Sequence, residues 1–155
     1  MKKNTVLWIL GLCFIAAGIC FAASYDAQMG TWKLNEDESE LNGPAKNTMV
    51  KYEMAGDSIK CIVDGVDENG KATHTEWVGK FDEKFYPVKG DPTSDMRSYK
   101  IVDDHTLGIM MRKGGEVVGT GTITVSDDGK TRKVKTTIKN AKGDMVEKKQ
   151  FYDKQ

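Results

Sequence analysis

Apolar and β-branched residues alternate with polar ones along most of the chain from Trp32 onward, which is the pattern of half-buried β-strands. Short clusters rich in glycine, asparagine and aspartate, such as Asn69-Gly70 and Asp128-Gly129, interrupt this alternation repeatedly. These dipeptides suit tight hairpin turns because they tolerate positive φ. The pattern therefore predicts about nine strands, at 30–35, 48–55, 58–66, 72–81, 96–102, 105–112, 116–125, 131–139 and 145–153.

The order of these strands predicts how they pair. Consecutive strands joined by short turns pair with their neighbours, and closure of the sheet removes exposed edges that invite aggregation. We therefore expect an all-β fold, an antiparallel up-and-down β-barrel of about eight to ten strands, with a β-sandwich as the alternative. The one helical segment predicted is a single turn from Glu36 to Leu41, with Asn35 as its cap.

The two-residue period also assigns faces to the strands. In the strand at 131–139, Val134 and Ile138 share one face and the lysines lie on the other. In an earlier strand, Trp77 and Phe81 share a face with threonines and a glycine, so the predicted interior is partly polar. A mixed interior is typical of a barrel that holds a ligand, although a barrel filled by its own side chains also tolerates it.

The first residues have the pattern of an export signal. The charged start Met1-Lys2-Lys3 precedes an apolar run at 6–17 and small residues at 22–24. The apolar run is shorter than the roughly 20 residues that a membrane span requires. We expect residues 1–24 to be a signal peptide and residues 25–155 to form one domain, periplasmic or secreted, without stable membrane insertion.

Cysteine content limits the covalent chemistry of the domain. Cys13 and Cys20 lie in the predicted leader, which leaves Cys61 without an intramolecular disulfide partner. Cys61 lies in a strand-like run and is expected to be a small buried side chain. Lipid attachment at Cys20 is an alternative to soluble export, although Ile19 stands where lipid-attachment signals have a small residue.

The balance of charges argues against nucleic-acid binding. The chain has 23 basic and 23 acidic residues, and the leader holds Lys2 and Lys3 but no acidic residue, so the remainder carries a charge of about −2. Proteins that bind DNA or RNA usually carry a basic surplus on one face, whereas the two signs are mixed here along every segment.

The motif Gly30-Thr31-Trp32, on the first strand of an antiparallel run, resembles the lipocalin and fatty-acid-binding-protein (calycin) superfamily. The segments Thr75-Glu76-Trp77 and Tyr86-Pro87-Val88 are similar to segments of exported bacterial lipocalin-like domains. The resemblance implies that Gly30 and Trp32 are structural and that Trp32 closes one end of the barrel. It also implies a basic residue near the end of the last strand that covers the indole. The candidates are Lys148, Lys149 and Lys154.

One departure from this family concerns the ligand site. Fatty-acid binders hold a carboxylate with an Arg-x-Tyr near the C-terminus, but the corresponding stretch here is Gln150-Phe151-Tyr152. That clamp is therefore not transferred to this chain.

The sequence contains no complete catalytic or metal-binding motif. His74 and Glu76 share a strand face, but two ligands are fewer than the three or four that a zinc site needs. Neither His74 nor His105, the two histidines, has a nucleophile in a known catalytic pattern. We expect no enzymatic activity, no cofactor and no metal.

The predicted function is binding of a small hydrophobic or amphipathic ligand inside a monomeric barrel. Aromatic and methionine side chains of the middle third suit an adaptable apolar pocket. Arg97 shares a face with Tyr99; pointing inward it would need an acidic or anionic partner, and the alternative is a solvated outward side chain. A filled barrel that acts as an envelope module or protein inhibitor is the alternative function. The residues predicted to contact the ligand are Trp77, Phe81, Tyr86, Arg97, Tyr99 and Met110.

Overall fold

A computed structural model describes residues 25–140 and 142–155 of the chain, and the predicted signal peptide, with Cys13 and Cys20, lies outside them. After a 3₁₀ turn at Asp26–Gln28, the described residues form ten β-strands. The strands are β1 (Gly30–Glu40), β2 (Lys46–Ala55), β3 (Ser58–Val66), β4 (Ala72–Gly79), β5 (Tyr86–Lys89), β6 (Met96–Ile101), β7 (Thr106–Lys113), β8 (Glu116–Val125), β9 (Thr131–Lys139) and β10 (Met145–Lys154).

The ten strands close into one antiparallel barrel. Each strand pairs with its neighbours in the sequence, and β1 pairs with β10 through contacts that include Leu34 opposite Tyr152. This arrangement confirms the predicted up-and-down barrel and excludes the sandwich. Within residues 25–140 and 142–155, no helix is long and apolar enough to cross a membrane.

The predicted set of nine strands was wrong by one, because it lacked β5. This strand has four residues and includes Pro87, which cannot donate a ladder hydrogen bond. It joins β4 and β6 by only two residue pairs on each side, with Trp77 opposite Val88 and Tyr86 opposite Arg97 among them. Because the strand is short and contains proline, its sequence has the character of a turn.

The predicted helical turn from Glu36 to Leu41 is also wrong, since β1 continues as a strand to Glu40. The register of β1 with β10 shifts between Asn35 and Glu40, which marks a β-bulge. Asn35 does accept a bond from the Glu38 amide at 3.3 Å, as a helix cap would. Ser39 accepts a bond from the Phe151 amide at 2.9 Å, which ties the segment to the sheet instead.

The alternation of strand residues divides inside from outside as the sequence predicts. Leu107 and Met111 on β7 and Arg132 and Thr136 on β9 are buried, while intervening lysines of β9 are exposed. Cys61 is 1% exposed, which confirms its expected burial. The interior of the barrel is therefore mixed, with polar side chains among the apolar ones.

Trp32 lies at one end of the barrel, which we call the tryptophan end. In an up-and-down barrel, odd-numbered strands start at the end where even-numbered strands finish, so the tryptophan end holds the start of β1 and the finish of β10. The indole is 0% exposed, as predicted, and its Nε1 donates to the Gln28 carbonyl at 2.9 Å. Of the three candidate lysines, Lys154 covers the ring, with Nζ 5.1 Å from its centroid. The Gln28 side chain also donates to the His105 carbonyl, so a hydrogen bond joins the 3₁₀ turn to the residue that precedes β7.

Candidate ligand-binding cavity

A cavity of about 280 Å³ occupies the barrel interior and extends to the end opposite Trp32, which we call the open end. Its rim includes the start of β2, the finish of β3 and the connection between β5 and β6. Alternate residues of several strands supply apolar walls, because a side chain on every second position points inward. The apolar wall residues are Val50, Val63, Ile109, Met111, Ile123 and Val134.

Arg132 is the charged group in the deep part of the cavity. It is 2% exposed and lies opposite Tyr152 in the pairing of β9 with β10. Its Nη2 donates to the Tyr52 hydroxyl at 3.1 Å, and its Cζ lies 4.9 Å from the Tyr52 ring centroid and 5.9 Å from that of Trp32. The guanidinium is thus held among aromatic rings, directly above the tryptophan end.

Two of the nitrogens of Arg132 are buried without a hydrogen-bond partner. These atoms are Nε and Nη1, and among the residues that the structure describes no ion pair joins Arg132 to a carboxylate. A buried charge is normally paired, because removal from water costs several kcal/mol per ion. The cavity therefore holds a cation with unused donors.

Cys61, Tyr52 and Tyr99 form a buried group on the wall of the same cavity. Burial raises the pKa of the Cys61 thiol, and burial likewise raises the pKa values of Tyr52 and Tyr99. All three groups are therefore neutral near pH 7. A protonated thiol is a poor nucleophile, so this group lines the cavity and is not activated for covalent chemistry.

We expect the isolated domain, residues 25–155, to unfold at the same temperature with and without a reductant and with and without EDTA. Cys61 is buried and free, and among residues 25–140 and 142–155 no group of three or more potential metal ligands is assembled. Thermal unfolding followed by circular dichroism measures this. A shift in midpoint of more than a few degrees under either condition would show that a disulfide or a metal supports the fold.

Arg97 lies nearer the open end and, unlike Arg132, has a carboxylate partner. Its side chain points inward at 13% exposure, and Nη2 donates to Asp91 Oδ2 at 2.6 Å. Ser94 and Thr93 hydroxyls also donate to the Asp91 carboxylate. Burial by itself would raise the pKa of Asp91, but the guanidinium and these donors outweigh it and hold the pKa below its ordinary value. Of the two orientations that the sequence left open for Arg97, the structure shows the inward one. Its acidic partner is Asp91.

The structure brings only two of the predicted ligand residues, Arg97 and Tyr99, to the cavity. Trp77, Phe81 and Tyr86 do not line it. They pack together with Tyr99 nearer the tryptophan end, where Trp77 lies 4.7 Å from Tyr99 and 6.1 Å from Phe81 between ring centroids. The physical reason is strand direction, since β4 finishes and β5 starts at that end.

Met110 is placed on the outer surface of the barrel. It is 37% exposed, whereas its neighbours on the opposite parity, Ile109 and Met111, line the cavity. The period of two on β7 accounts for this outward position.

Sequence reasoning missed the residues that give the deep cavity its polar character, namely Arg132, Tyr52, Tyr152 and Gln150. A usable signal existed for Arg132, because it has the same parity as Val134 and Ile138, the apolar face of its strand. An arginine on the apolar parity of a strand predicts a buried cation. The last strand carried a similar signal, because Gln150 and Tyr152 are two residues apart and share one face. Both side chains are buried.

His74 lies on the outside of the barrel and is not part of the cavity. Its side chain is 57% exposed, with Nδ1 2.6 Å from Asp64 Oδ1 and Nε2 3.3 Å from Glu76 Oε1. These hydrogen bonds to Asp64 and Glu76 raise the pKa of His74. The pair that the sequence suggested as metal ligands therefore forms part of a surface ion-pair cluster.

No model of a known protein family matches the chain, and no curated protein matches it. The geometry of the cavity is therefore the main guide to function.

Proposed function

We propose that this chain is an exported, lipocalin-like barrel that binds a small apolar or amphipathic molecule in its cavity and catalyses no reaction. The observation that carries the proposal is the cavity of about 280 Å³ inside the barrel. Sites for small molecules are typically concave, mostly apolar and about 300–1,000 Å³ in volume, with a few placed polar groups. The cavity is at the lower limit of that range, which favours a compact ligand.

The cavity favours the binding barrel over a filled barrel that acts through its outer surface. Well-packed interiors leave few voids larger than a water molecule. A volume of about 280 Å³ is much larger than the space that a single water needs, so it exceeds an ordinary packing defect. The ring of apolar wall residues gives such a space affinity for a nonpolar group.

The chemistry of the lining supports binding without catalysis. Cys61, Tyr52 and Tyr99 are neutral because burial raises their pKa values. Of the two histidines, His74 lies on the outer surface. His105 lies at the tryptophan end, where its carbonyl accepts a hydrogen bond from Gln28. A nucleophile paired with a base, which acyl-transfer chemistry requires, is therefore not assembled among the cavity residues that the structure describes.

Export, family and oligomeric state belong to the same proposal. The charged and apolar pattern of residues 1–24 supports export to the periplasm or medium. The buried Trp32 beneath Lys154, at the end of the last strand, supports the lipocalin-like assignment. Closure of the barrel leaves no unpaired edge among the ten strands, which supports a monomer.

We expect small amphipathic compounds to raise the thermal unfolding midpoint of the wild-type protein but not of the variant Thr136→Phe. Thr136 is buried on the cavity wall, so a phenyl ring there occupies ligand space. A compound at a hundredfold excess over its Kd stabilises the folded state by about 2.7 kcal/mol. A thermal-shift screen of a panel of compact amphiphiles measures the effect.

The matched control is Thr122→Phe, the same substitution at an exposed strand position. It should retain the response of the wild type. If no compound stabilises the wild type, or if Thr136→Phe responds equally well, the cavity is not the binding site and the proposed function is wrong.

A further inference from the structure

We propose that the deep part of the cavity is a site for the charged group of an organic monoanion, such as a carboxylate, and that Arg132 binds it. This inference rests on the proposed function and specifies its ligand class. It makes the charge of the ligand, and not only its apolar body, a condition for tight binding.

The first argument is the unsatisfied state of Arg132. Its guanidinium is 2% exposed and donates one hydrogen bond, to Tyr52, while Nε and Nη1 have no partner. An arginine side chain offers five N–H donors in a planar fork that matches two oxygens of a carboxylate. The unused donors of a buried cation are therefore complementary to an oxyanion.

The second argument is that, among the described residues, the groups beside Arg132 supply no negative charge. The hydroxyl of Tyr152 donates to the Asn47 carbonyl at 3.3 Å, and Tyr52 and Cys61 stay protonated because burial raises their pKa values. The aromatic rings around the guanidinium give only the weaker attraction of a cation for a π face. A bound anion would complete the pairing that the chain leaves open.

The contrast with Arg97 identifies which arginine has this role. Arg97 also lines the cavity, but Asp91 neutralises it at 2.6 Å, and the Asp91 carboxylate is itself 7% exposed. Only Arg132 of the two carries a charge without a carboxylate partner. Lys148 also lines the cavity, but it lies opposite Thr136 on β9, farther from the tryptophan end than Arg132. Arg132 is therefore the cation of the deep end.

A single guanidinium at the deep end favours one negative charge on the group that binds there. A second negative charge, as on a phosphate monoester, would stay unpaired in a space of low dielectric and would keep its desolvation cost. The apolar walls, which include Val50, Val63 and Ile123, require that the rest of the ligand be organic. A neutral molecule of the same shape would leave Arg132 unpaired.

The test compares three probes that share one apolar body: phenylbutanoate, phenylbutanol and phenylbutyl phosphate. Isothermal titration calorimetry with the wild-type domain should give the lowest Kd for phenylbutanoate. We expect at least a roughly tenfold advantage over the alcohol, because hydrogen bonds to a charged group contribute more than neutral ones. The phosphate ester should bind more weakly than the carboxylate at pH 8, where it is a dianion.

Variants decide whether Arg132 is responsible. Arg132→Met should remove the preference for the carboxylate while retaining binding of the alcohol, and Arg132→Lys should retain part of the preference because it keeps the charge. Lys133→Met is the matched control, since it removes a positive charge from the exposed neighbour on the same strand. Circular dichroism of each variant verifies the fold, and Arg132→Lys keeps the test valid if Arg132→Met does not fold.

The outcomes separate this inference from the proposed function. Binding of phenylbutanol as tight as that of phenylbutanoate, or a carboxylate preference that survives in Arg132→Met, would overturn the anion site and leave the binding barrel in place. If none of the three probes binds and no compound in the thermal-shift screen stabilises the protein, both the anion site and the binding barrel are overturned. Tighter binding of the phosphate ester than of the carboxylate would contradict the inference that the ligand carries one negative charge.

Discussion

Replacement of Trp32 by alanine should lower the free energy of unfolding by about 3–5 kcal/mol, the usual cost of truncating a fully buried large aromatic side chain. The indole is 0% exposed, donates to the Gln28 carbonyl at 2.9 Å and lies beneath the ammonium of Lys154. The substitution removes all three contributions and leaves a cavity at the tryptophan end. Chemical denaturation of the domain in guanidinium chloride measures the change.

Two further variants separate the contributions of the indole. Trp32→Phe keeps an aromatic ring but loses the hydrogen bond to Gln28, so it should cost less than Trp32→Ala. Met145→Ala, at a residue that is 58% exposed, is the surface control and should change stability by less than about 0.5 kcal/mol. A loss below about 1 kcal/mol for Trp32→Ala would mean that the indole does not hold this end of the barrel.

Substitution of Arg97 by methionine should lower the free energy of unfolding by about 3–5 kcal/mol, because it leaves the Asp91 carboxylate buried without its partner. The two side chains are 13% and 7% exposed, so water does not replace the lost ion pair. Asp91→Asn should show a loss in the same direction. The double variant Arg97→Met/Asp91→Asn should recover part of the loss, since neither charge remains, and a double-mutant cycle measures the coupling.

The control for this pair is Lys149→Met, which breaks a surface ion pair with Glu40. The side chains there are 30% and 64% exposed, and exposed pairs contribute about 0–1 kcal/mol. An equal effect of Lys149→Met and Arg97→Met would contradict the account of Arg97.

The same pair gives a pH dependence with a defined sign. The pKa of Asp91 is lower in the folded protein than its ordinary value of 3.8, so the unfolded chain binds the proton first as pH falls. Asp91 therefore contributes stability above pH 3.8, and this contribution is lost as pH falls from there through the folded pKa. Asp91→Asn should unfold in acid with a smaller slope than the wild type.

The sequence predicted the barrel well because its signals are local and repeated. Alternation of apolar and polar residues gives the strands, and the Asn-Gly and Asp-Gly dipeptides give the hairpins that join them. Gly70 and Gly129 have φ of +76° and +70°, the conformation that these turns require. Neighbour pairing then leaves closure of β1 on β10 as the one long-range step.

The two errors in the strand prediction arose where tertiary contacts decide the structure. Pro87 and the short length of β5 weaken its own strand signal, and pairing of Val88 with Trp77 on β4 compensates. The segment after Asn35 has the polar composition of a helical turn, but β10 offers it a partner strand through Ser39. Neither contact can be read from local sequence alone.

The candidate site was harder to predict because parity gives the face of a residue but not its depth in the barrel. Trp77 and Phe81 point inward as expected, yet strand direction places them nearer the tryptophan end and away from the cavity. Following strand direction along the meander would have corrected this. It would also have placed Arg132, at the start of β9, beside Tyr152, at the finish of β10.

Native mass spectrometry of the protein purified from its own host tests the binding barrel most directly. The protein should be purified without detergent and its mass compared before and after denaturation. The account predicts one small organic molecule per chain in the native spectrum, released on denaturation, and lower occupancy in Thr136→Phe. A native mass equal to that of the chain alone, in material that still folds and still fails to bind compact amphiphiles, would contradict it.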